Sequence, residues 1–543
     1  MPRMVASGII ELRAASRELE TEYSSVDDSL RSPRMTAAQQ FATEIVRTLR
    51  SHGFQAYFNG GCVRDLILWR EPADYDVSTD ATPQQVMRIF PRALAVGAQF
   101  GVVLVPSEPS TTKDTREHEG EHDSGTESFR ERVLPGTMGG SGKNRYLFLP
   151  SSLRKSVEVA TFRCDIGYSD GRHPDEVRFT KDPREDVQRR DFTINGMLLD
   201  PLASGSNGPR SASSEVAIGN VLDFVGGRED LKAGLIRAIG EPSRRFAEDK
   251  LRMLRAVRFA ARFEYKIEPA TFTAIQKLAP QIYQVSHERV RDELTKMLTE
   301  GRARLAFLLL DESGLLREVL PEVSAMKGVE QPPQFHPEGD VFVHTLLLLE
   351  KLPAGCAKTL AWGALLHDVG KPATFRVAPD RIRFDGHVDV GVKIAEAICR
   401  RLRFSNDETE QIVALVDNHM RFAQIRQMNE STLKKFLRMP KFDEHLEVHR
   451  LDALSSNKIL DFYDYARERL ESMPPEAIRP KPLVSGDDLI AAGYAPGPQF
   501  KKILDAVEDA QLEGRVATHQ AAMELVRAEF PSEGVPPPPP SSV

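Results

Sequence analysis

Residues 54–79 restrict the fold more than any other part of the sequence. Residues 54–58 have the apolar and aromatic bias of a β-strand, and residues 63–69 have the pattern of a helix. Between them lie Gly60 and Gly61, whose lack of a side chain permits a sharp turn and a close approach of the backbone to a ligand. The stretch therefore predicts a strand, a tight turn and a helix that face a bound molecule.

The charged residues of this stretch suit a nucleotide. Arg64 lies in the first turn of the predicted helix, where free N–H groups and the positive end of the helix dipole favour phosphate. Asp74 and Asp76 lie two positions apart in an extended segment, so their carboxylates point to one face. Two converging carboxylates suit Mg²⁺. A lone Gly-Gly is usually a turn and a lone Asp-x-Asp a solvated loop, but their combination predicts a magnesium-dependent nucleotide site.

Length and composition restrict the possible classes of protein. At 543 residues the chain has room for several domains, and no apolar run is long enough to span a membrane. The first thirty residues lack the apolar run of a signal peptide, so we expect a soluble, cytoplasmic protein without a membrane partner. The four cysteines are far apart, which argues against disulfides or a thiolate zinc site. The net charge of −7 means that any RNA contact must come from local basic patches.

Strand-like segments continue at residues 102–105 and 157–162. Between them, residues 106–144 are rich in Ser, Gly, Glu and Thr without apolar periodicity, which predicts a disordered insertion in one surface loop. Within the second strand, Glu158 is an acid among apolar residues. It is either a third active-site carboxylate or a solvent-facing edge residue, and the sequence does not decide between them.

A helical pattern at residues 244–262 places Asp249, Arg252 and Arg255 in one row, beside a packed apolar stripe. A carboxylate and a guanidinium three residues apart can together read the edge of a base, because one accepts and the other donates. The spacing alone, however, favours ordinary ion pairs on an amphipathic helix. Both interpretations stay open at this point.

Histidine and aspartate recur on separate predicted helices in the second half of the chain. Side chains of this kind that face a common core can bind a hydrolytic metal, although any single buried histidine is more often structural. The ordered series is His344, His367-Asp368, His387, His419 and Asp452.

These motifs together resemble a known family. Residues 60–65, Gly-Gly-Cys-Val-Arg-Asp, followed by Asp-Tyr-Asp-Val-Ser-Thr at 74–79, are similar to the head signature of class II tRNA nucleotidyltransferases (CCA-adding enzymes) and bacterial poly(A) polymerases. Residues 189–196, Arg-Arg-Asp-Phe-Thr-Ile-Asn-Gly, resemble the family's next motif with Gly196 in place of Ala. The histidine and aspartate series resembles HD-domain metal phosphohydrolases.

The resemblance implies a role for each matching residue. The catalytic candidates are Asp74, Asp76 and, in the HD domain, Lys371, together with Glu158, which comes from the strand pattern and not from a matching motif. The nucleotide-binding candidates are Gly60, Gly61, Arg64, Arg189, Arg190, Asp249, Arg252, Arg255 and Arg258. The metal ligands would be Asp74 and Asp76 for Mg²⁺, and His344, His367, Asp368, His387, His419 and Asp452 for a divalent transition metal of unknown identity.

The implied activity is addition of C and A from CTP and ATP to the 3′ acceptor end of tRNA, with a second, phosphohydrolase activity in the HD domain. Residues 165–174 resemble the family's flexible loop, which implies a full CCA-adding or an A-adding enzyme. A poly(A) polymerase and an A-adding tRNA nucleotidyltransferase are alternatives within the family. An alternative of another class is an HD phosphohydrolase whose head only binds RNA. The sequence does not predict an oligomeric state.

The expected fold class is α+β, with a small mixed-sheet nucleotidyltransferase head followed by an all-helical neck, HD domain and tail. The predicted divisions are a disordered leader (1–36), the head (37–200), the neck (201–330), the HD domain (331–470), a tRNA-binding tail (471–530) and a Pro-rich end (531–543).

Overall fold

The computed structural model describes residues 35–107, 156–168, 174–203, 220–334, 336–337 and 339–531. The predicted leader, the low-complexity insertion at 106–144, a second Ser- and Gly-rich stretch at 202–214 and the Pro-rich end lie almost entirely outside these residues. The described residues divide into two compact units. Those up to Leu231 form the first unit, except for a short segment at 167–175, and those from Lys232 onward form the second.

A seven-stranded mixed sheet forms the centre of the first unit, in the order β3-β4-β5-β2-β1-β8-β9. β2 and β5 pair in parallel, and the other neighbours are antiparallel. The strands are β1 Ala56–Asn59, β2 Asp76–Thr79, β3 Leu94–Gly97, β4 Val102–Pro106, β5 Ser156–Thr161, β8 Met197–Asp200 and β9 Asn220–Asp223, and a separate ladder joins β6 Arg163–Ile166 to β7 Glu176–Phe179.

The large insertion leaves and re-enters the sheet at one point. Pro106, the last residue of β4, is the register partner of Ser156, the first residue of β5. The two strands are antiparallel neighbours, so the whole of residues 107–155 connects the adjacent ends of one strand pair. This placement explains how a long low-complexity segment is compatible with an intact sheet.

Among the described residues, five α-helices lie in the first unit, the last of them ending two residues beyond it in the chain. They are α1 Ala37–Ser51, α2 Gly61–Ile67, α3 Pro83–Ile89, α4 Pro183–Gln188 and α5 Gly227–Ala233. The longest of them, α1, begins where the Thr36 side chain accepts a hydrogen bond from the Gln39 N–H, and it buries Ile45 and Leu49.

The second unit is built from helices, with two ladders of two residues each. The neck helices are α6 Pro242–Glu248, α7 Leu251–Phe263, α8 Pro269–Leu278, α9 His287–Thr299, α10 Ala303–Glu312, α11 Leu315–Val319 and α12 Pro321–Ser324. The following helices are α13 Val341–Glu350, α14 Lys358–Leu366, α15 Lys371–Thr374, α16 His387–Arg401, α17 Asn406–Asn418, α18 Glu430–Leu437, α19 Phe442–Ser455 and α20 Asp461–Ser472. The last are α21 Pro475–Ile478, α22 Gly486–Ala491, α23 Pro498–Leu512 and α24 His519–Glu529.

The ladders join β10 Leu235–Ile236 to β11 Lys266–Ile267 and β12 Arg376–Val377 to β13 Ile382–Arg383. The predicted class, a mixed-sheet head followed by helices, is confirmed. Among the helices of the described residues, none is long and apolar enough to cross a membrane.

A buried ion pair joins two neck helices. Arg258 of α7 donates through Nε to the Glu293 carboxylate of α9 at 2.6 Å, and Glu293 is fully buried. Burial raises the pKa of Glu293, but the nearby arginines, Arg258 foremost, outweigh it and lower the pKa to about 2. The carboxylate is therefore ionised in the folded protein across the neutral range.

We expect Glu293→Gln to destabilise the second unit by about 3 kcal/mol at pH 7, because it removes the nearest counter-charge of the buried guanidinium and leaves the more distant Glu300, 3.6 Å from Arg258 Nη1. Since the folded-state pKa lies below the ordinary value, the contribution is present above about pH 4.5 and declines toward pH 2. Urea unfolding at pH 7 and pH 4 should therefore show a smaller deficit at the lower pH. The matched control is Glu264→Gln, in an exposed pair with Arg302, which should change stability by less than about 1 kcal/mol.

Candidate functional site

The two head aspartates lie at the start of β2. Asp74 is exposed just before the strand and Asp76 is its half-buried first residue. Tyr75 and Val77 are buried, so the side chains alternate between the two faces as the sequence predicted.

Glu158 lies beside Asp76. The parallel register of β2 and β5 pairs the two residues directly, which directs both side chains to the same face of the sheet. β5 lies between β4 and β2, so Glu158 is not on an edge strand. Its neighbours Val157 and Val159 are buried on the opposite face. Oxygen ligands grouped in this way can hold hard divalent cations.

The turn before α2 is shaped by Gly60. Its φ of 68° lies in the left-handed region that favours glycine. The Arg190 guanidinium lies close by, because a Cβ built on Gly60 would be 3.4 Å from Arg190 Nη1. Arg190 donates to Asn59 Oδ1 at 2.9 Å and to Ser78 Oγ at 3.2 Å, and it therefore links the end of β1 to β2 beside the turn.

Asp186 holds both arginines of the 189–190 pair. Arg189 donates to one carboxylate oxygen at 2.7 Å and Arg190 to the other at 2.8 Å. Burial raises the pKa of Asp186, but the two guanidiniums lower it to about 2. The pair is thus oriented by a permanently ionised, buried carboxylate. Asp186 was not among the predicted site residues. It lies three and four residues before the two arginines, the spacing at which side chains of a helix contact each other.

Arg64 is buried rather than open to solvent, with 4% of its surface exposed. Its guanidinium donates to Asp65 at 2.9 Å and to Asn195 Oδ1 at 2.6 Å. The side chain therefore ties the turn to the 189–196 motif. Asn195 belongs to that quoted motif, but nothing in the motif predicted its contact with Arg64.

In the neck, the predicted continuous helix over 244–262 is wrong. α6 ends at Glu248, and Asp249 has extended backbone angles (φ −151°, ψ 108°) before α7 begins. Asp249 Oδ1 accepts from the Leu251 N–H at 3.0 Å, and Oδ2 accepts from Arg289 at 2.6 Å. Helical periodicity could not reveal this break, because an aspartate at this position is compatible with a continuous or an interrupted helix.

The three neck arginines differ in their surroundings. Arg252 donates to Glu248 at 2.7 Å and to the Arg245 carbonyl at 3.0 Å. Arg255 lies over the Phe259 ring at 5.2 Å. Arg258 is buried against Glu293, which favours a structural role over a direct nucleotide contact.

In the second unit the structure brings together all six predicted HD ligands. The nitrogen and oxygen atoms of His344, His367 and Asp452 lie within 4.8 Å of one another, and so do those of Asp368, His387 and His419.

Asp368 lies between these two groups. Its Oδ2 is 3.2 Å from His367 Nε2 and 4.0 Å from His344 Nε2. Its Oδ1 is 3.7 Å from His419 Nε2 and 3.9 Å from His387 Nε2. One carboxylate thus faces both clusters, the arrangement expected of a ligand shared by two ions.

Backbone carbonyls orient three of the histidines. The Nδ1 atoms of His367, His387 and His419 lie 2.9, 3.0 and 2.7 Å from the carbonyl oxygens of residues 364, 384 and 416. Each Nδ1 therefore carries the proton, which leaves Nε2 as the lone-pair donor toward the cluster. The His367 Nε2 is buried without a hydrogen-bond partner among the described residues. This donor set fits a divalent transition metal.

The pKa shifts of the ligand residues also favour binding of a divalent metal ion. Burial lowers the pKa of His419 to about 4 and also lowers that of His387, so both rings are neutral at pH 7. Burial raises the pKa of Asp368, but His367 and Lys371 hold it well below the usual range. His387, His419 and Asp368 therefore present metal-binding protonation states before any ion arrives.

The six predicted ligands and Lys371 together form what we call the HD centre, and two further residues that contact it were not predicted from the sequence. The half-buried His336 ring lies edge-on to His344 at 4.8 Å between centroids, and the buried Gln331 accepts from Lys371 Nζ at 2.6 Å. Both belong to the irregular segment before α13, where periodicity gives no signal. Of the predicted flexible loop at 165–174, residues 169–173 lie outside the described residues.

Three family models match the chain in succession. The model of the poly(A) polymerase head domain matches residues 56–134 and 126–237. One described as a probable RNA- and SrmB-binding site of polymerase A matches residues 264–327. The HD domain model matches residues 341–461.

The chain is also similar to individual CCA-adding enzymes. The CCA-adding enzyme of Geobacillus stearothermophilus is 35% identical over 276 residues, 51% of this chain and 53% of that protein. The chain thus spans about half the length of that relative. The CCA-adding enzyme of Lactococcus lactis subsp. lactis is 28% identical over 490 residues, 89% of this chain and 95% of that protein. The crystal structure of the Bacillus stearothermophilus CCA-adding enzyme in complex with CTP is similar with a TM-score of 0.62 and 25% identity, covering 91% of this chain and 99% of that one.

We expect the metal-stripped full chain to take up two transition-metal ions in the HD clusters when dialysed against Mn²⁺, one for each group of ligands. His419→Ala removes a ligand from one group only, so metal analysis should show the uptake falling by about one equivalent. The matched control is His519→Ala, an exposed histidine outside both groups, which should retain the wild-type uptake. Unchanged uptake by His419→Ala would contradict the assignment.

Proposed function

The chain belongs to the family of class II tRNA nucleotidyltransferases and bacterial poly(A) polymerases with an HD domain, and we propose that it is a CCA-adding enzyme. In this proposal it transfers C and A from CTP and ATP to the 3′ end of tRNA. The HD domain adds a metal-dependent phosphohydrolase activity. We also propose that the enzyme works in the cytoplasm.

The observation that carries the proposal is the alignment of Asp76 with Glu158 on one face of the sheet, next to Asp74. In the reaction, the terminal 3′-oxygen forms a bond to the α-phosphorus, and the bond between the α-phosphorus and the bridging oxygen of pyrophosphate breaks. Asp74 and Asp76 would hold Mg²⁺, with Glu158 as the third carboxylate. Bound Mg²⁺ would supply activation of the 3′-hydroxyl and neutralisation of the leaving pyrophosphate.

The residues around the turn have separate tasks in this scheme. The backbone at Gly60 and Gly61 can lie close to the triphosphate because no side chain intervenes. Arg189 and Arg190, held by Asp186, offer fixed guanidinium groups for phosphate or ribose. Arg64 keeps the turn in place through its buried bonds to Asp65 and Asn195.

The double substitution of Asp74→Asn with Asp76→Asn tests this assignment. It should lower nucleotide incorporation into tRNA by at least about 10³-fold, because metal binding supplies several kcal/mol of transition-state stabilisation. Incorporation of labelled CTP is measured with saturating Mg²⁺. Glu176→Gln, an exposed carboxylate in β7, is the control and should leave the rate unchanged. Retained activity in the double variant would refute the proposed metal site.

We assign base selection to the neck residues Asp249, Arg252 and Arg255. Asp249→Asn should lower the preference for CTP and ATP over UTP and GTP, measured as kcat/KM ratios, by roughly 10- to 100-fold. Arg258→Met should reduce stability and leave these ratios unchanged in the folded fraction, because its guanidinium is buried against Glu293. If Arg258→Met altered base preference as strongly as Asp249→Asn, this division of roles would be wrong.

For the HD domain, we propose a divalent transition metal held by the two ligand groups and hydrolysis of phosphate esters such as 2′,3′-cyclic phosphates. Bound metal would supply a hydroxide nucleophile near neutral pH. Lys371 lies 2.6 Å from Asp368 Oδ2, where its charge can balance that of a phosphate.

Asp368→Ala should abolish hydrolysis of 2′,3′-cyclic AMP and leave CTP incorporation into tRNA unchanged. The reason is that the head carboxylates and the HD ligands belong to different compact units. Hydrolysis that persists in Asp368→Ala would place the activity elsewhere. If hydrolysis were present but tRNA extension absent even in the wild type, the head would be an RNA-binding module only.

A further inference from the structure

Backbone contacts join the two ends of the segment that leads into α13. A β-bridge joins Glu330 to Asp340, and the Gln331 N–H donates to the Gly339 carbonyl at 2.9 Å. Asp340 also caps α13, since its Oδ1 accepts from the Val343 N–H at 2.9 Å. The loop is therefore fixed to the helix that carries His344.

Gln331 is the residue through which this loop reaches the centre. Its side chain is almost completely buried, with 2% of the residue exposed. Its Oε1 accepts a hydrogen bond from Lys371 Nζ at 2.6 Å, and the same ammonium group lies 2.6 Å from Asp368 Oδ2. An ammonium group only donates, so the carboxamide oxygen must face Lys371 and the amide nitrogen must point away from it.

That amide nitrogen is buried and has no hydrogen-bond partner among the residues that the structure describes. Folded proteins rarely leave a buried amide donor unpaired, because the desolvation cost is then not offset. Gln331 Nε2 belongs to the same side chain that fixes Lys371, and Lys371 contacts Asp368, whose two carboxylate oxygens face the two ligand groups. The side chain that carries this donor therefore contacts the centre through Lys371.

We propose that Gln331 is a substrate-positioning residue of the HD centre. Its oxygen fixes the Lys371 ammonium group beside Asp368, and its amide nitrogen donates to a phosphoryl oxygen of the bound substrate. Lys371 and Gln331 together then form one anion subsite. The Lys371 ammonium group balances the negative charge of the phosphate, and the hydrogen bond from the Gln331 amide orients it. This inference rests on the proposed phosphohydrolase function.

The test uses the full chain loaded with Mn²⁺ and two substitutions. Gln331→Met keeps the length of the side chain but removes both hydrogen-bonding groups. Gln331→Glu keeps an acceptor for Lys371 but replaces the donor with a negative charge. Gln334→Met, an exposed residue of the same loop, is the matched control. Inorganic phosphate binding is measured by calorimetry, kcat and KM with bis(p-nitrophenyl) phosphate, and metal content and Tm for each variant.

We expect Gln331→Met to raise the phosphate Kd and the KM by roughly fivefold or more, and Gln331→Glu to raise both further. Metal content and Tm should match those of the Gln334→Met control. Wild-type phosphate affinity in Gln331→Met, or a weakened affinity that only accompanies lost metal or a lowered Tm, would overturn the inference. A wild-type protein that neither binds phosphate nor hydrolyses the ester would overturn the proposed phosphohydrolase together with this inference, whereas an active wild type with unaffected variants would overturn this inference alone.

Discussion

The parallel pairing of β2 with β5 is the constraint on which the candidate transferase site depends. A shift of one residue in this register would turn Glu158 away from Asp76 and bury a carboxylate in the sheet core. The buried residues Val77 and Val159, direct partners in the same pairing, hold the register through the opposite face. The apolar core thus determines where the carboxylates meet, and the long insertion is tolerated because it joins neighbouring strand ends.

In the HD centre, the backbone determines how the metal-ligand side chains are oriented. Carbonyl oxygens three residues before each of three histidines fix the Nδ1 protons, so the Nε2 lone pairs converge on Asp368. Gly370 contributes through its size, since a Cβ there would lie 2.0 Å from the His387 carbonyl oxygen. The close approach of α15 to the start of α16 therefore requires glycine, and it brings Lys371 and His387 to the same centre.

The sequence was sufficient for what depends on local pattern. The alternation about Asp74 and Asp76, the strand containing Glu158 and the ordered HD ligands were all visible in spacing or motif. Contacts between distant segments were not: the Asp249–Arg289 pair, Arg64 with Asn195, and Gln331 with Lys371 join residues 131 or 40 positions apart. The break at Asp249 was missed because the hydrogen bonds of this carboxylate to Leu251 and Arg289 override the helical pattern. Gln331 was missed because it lies in an irregular loop, which has no periodicity.

Extension of two tRNA transcripts, one that ends before CCA and one that ends in CC, would decide the activity. Purified protein receives each transcript with labelled CTP alone, ATP alone or both, and the products are sized and sequenced. Our account predicts two C residues followed by one A and then a stop. Addition of A only to a tRNA that already ends in CC would indicate an A-adding enzyme, and long A-tails a poly(A) polymerase. Failure of every extension would contradict the assignment of the head as the transferase site.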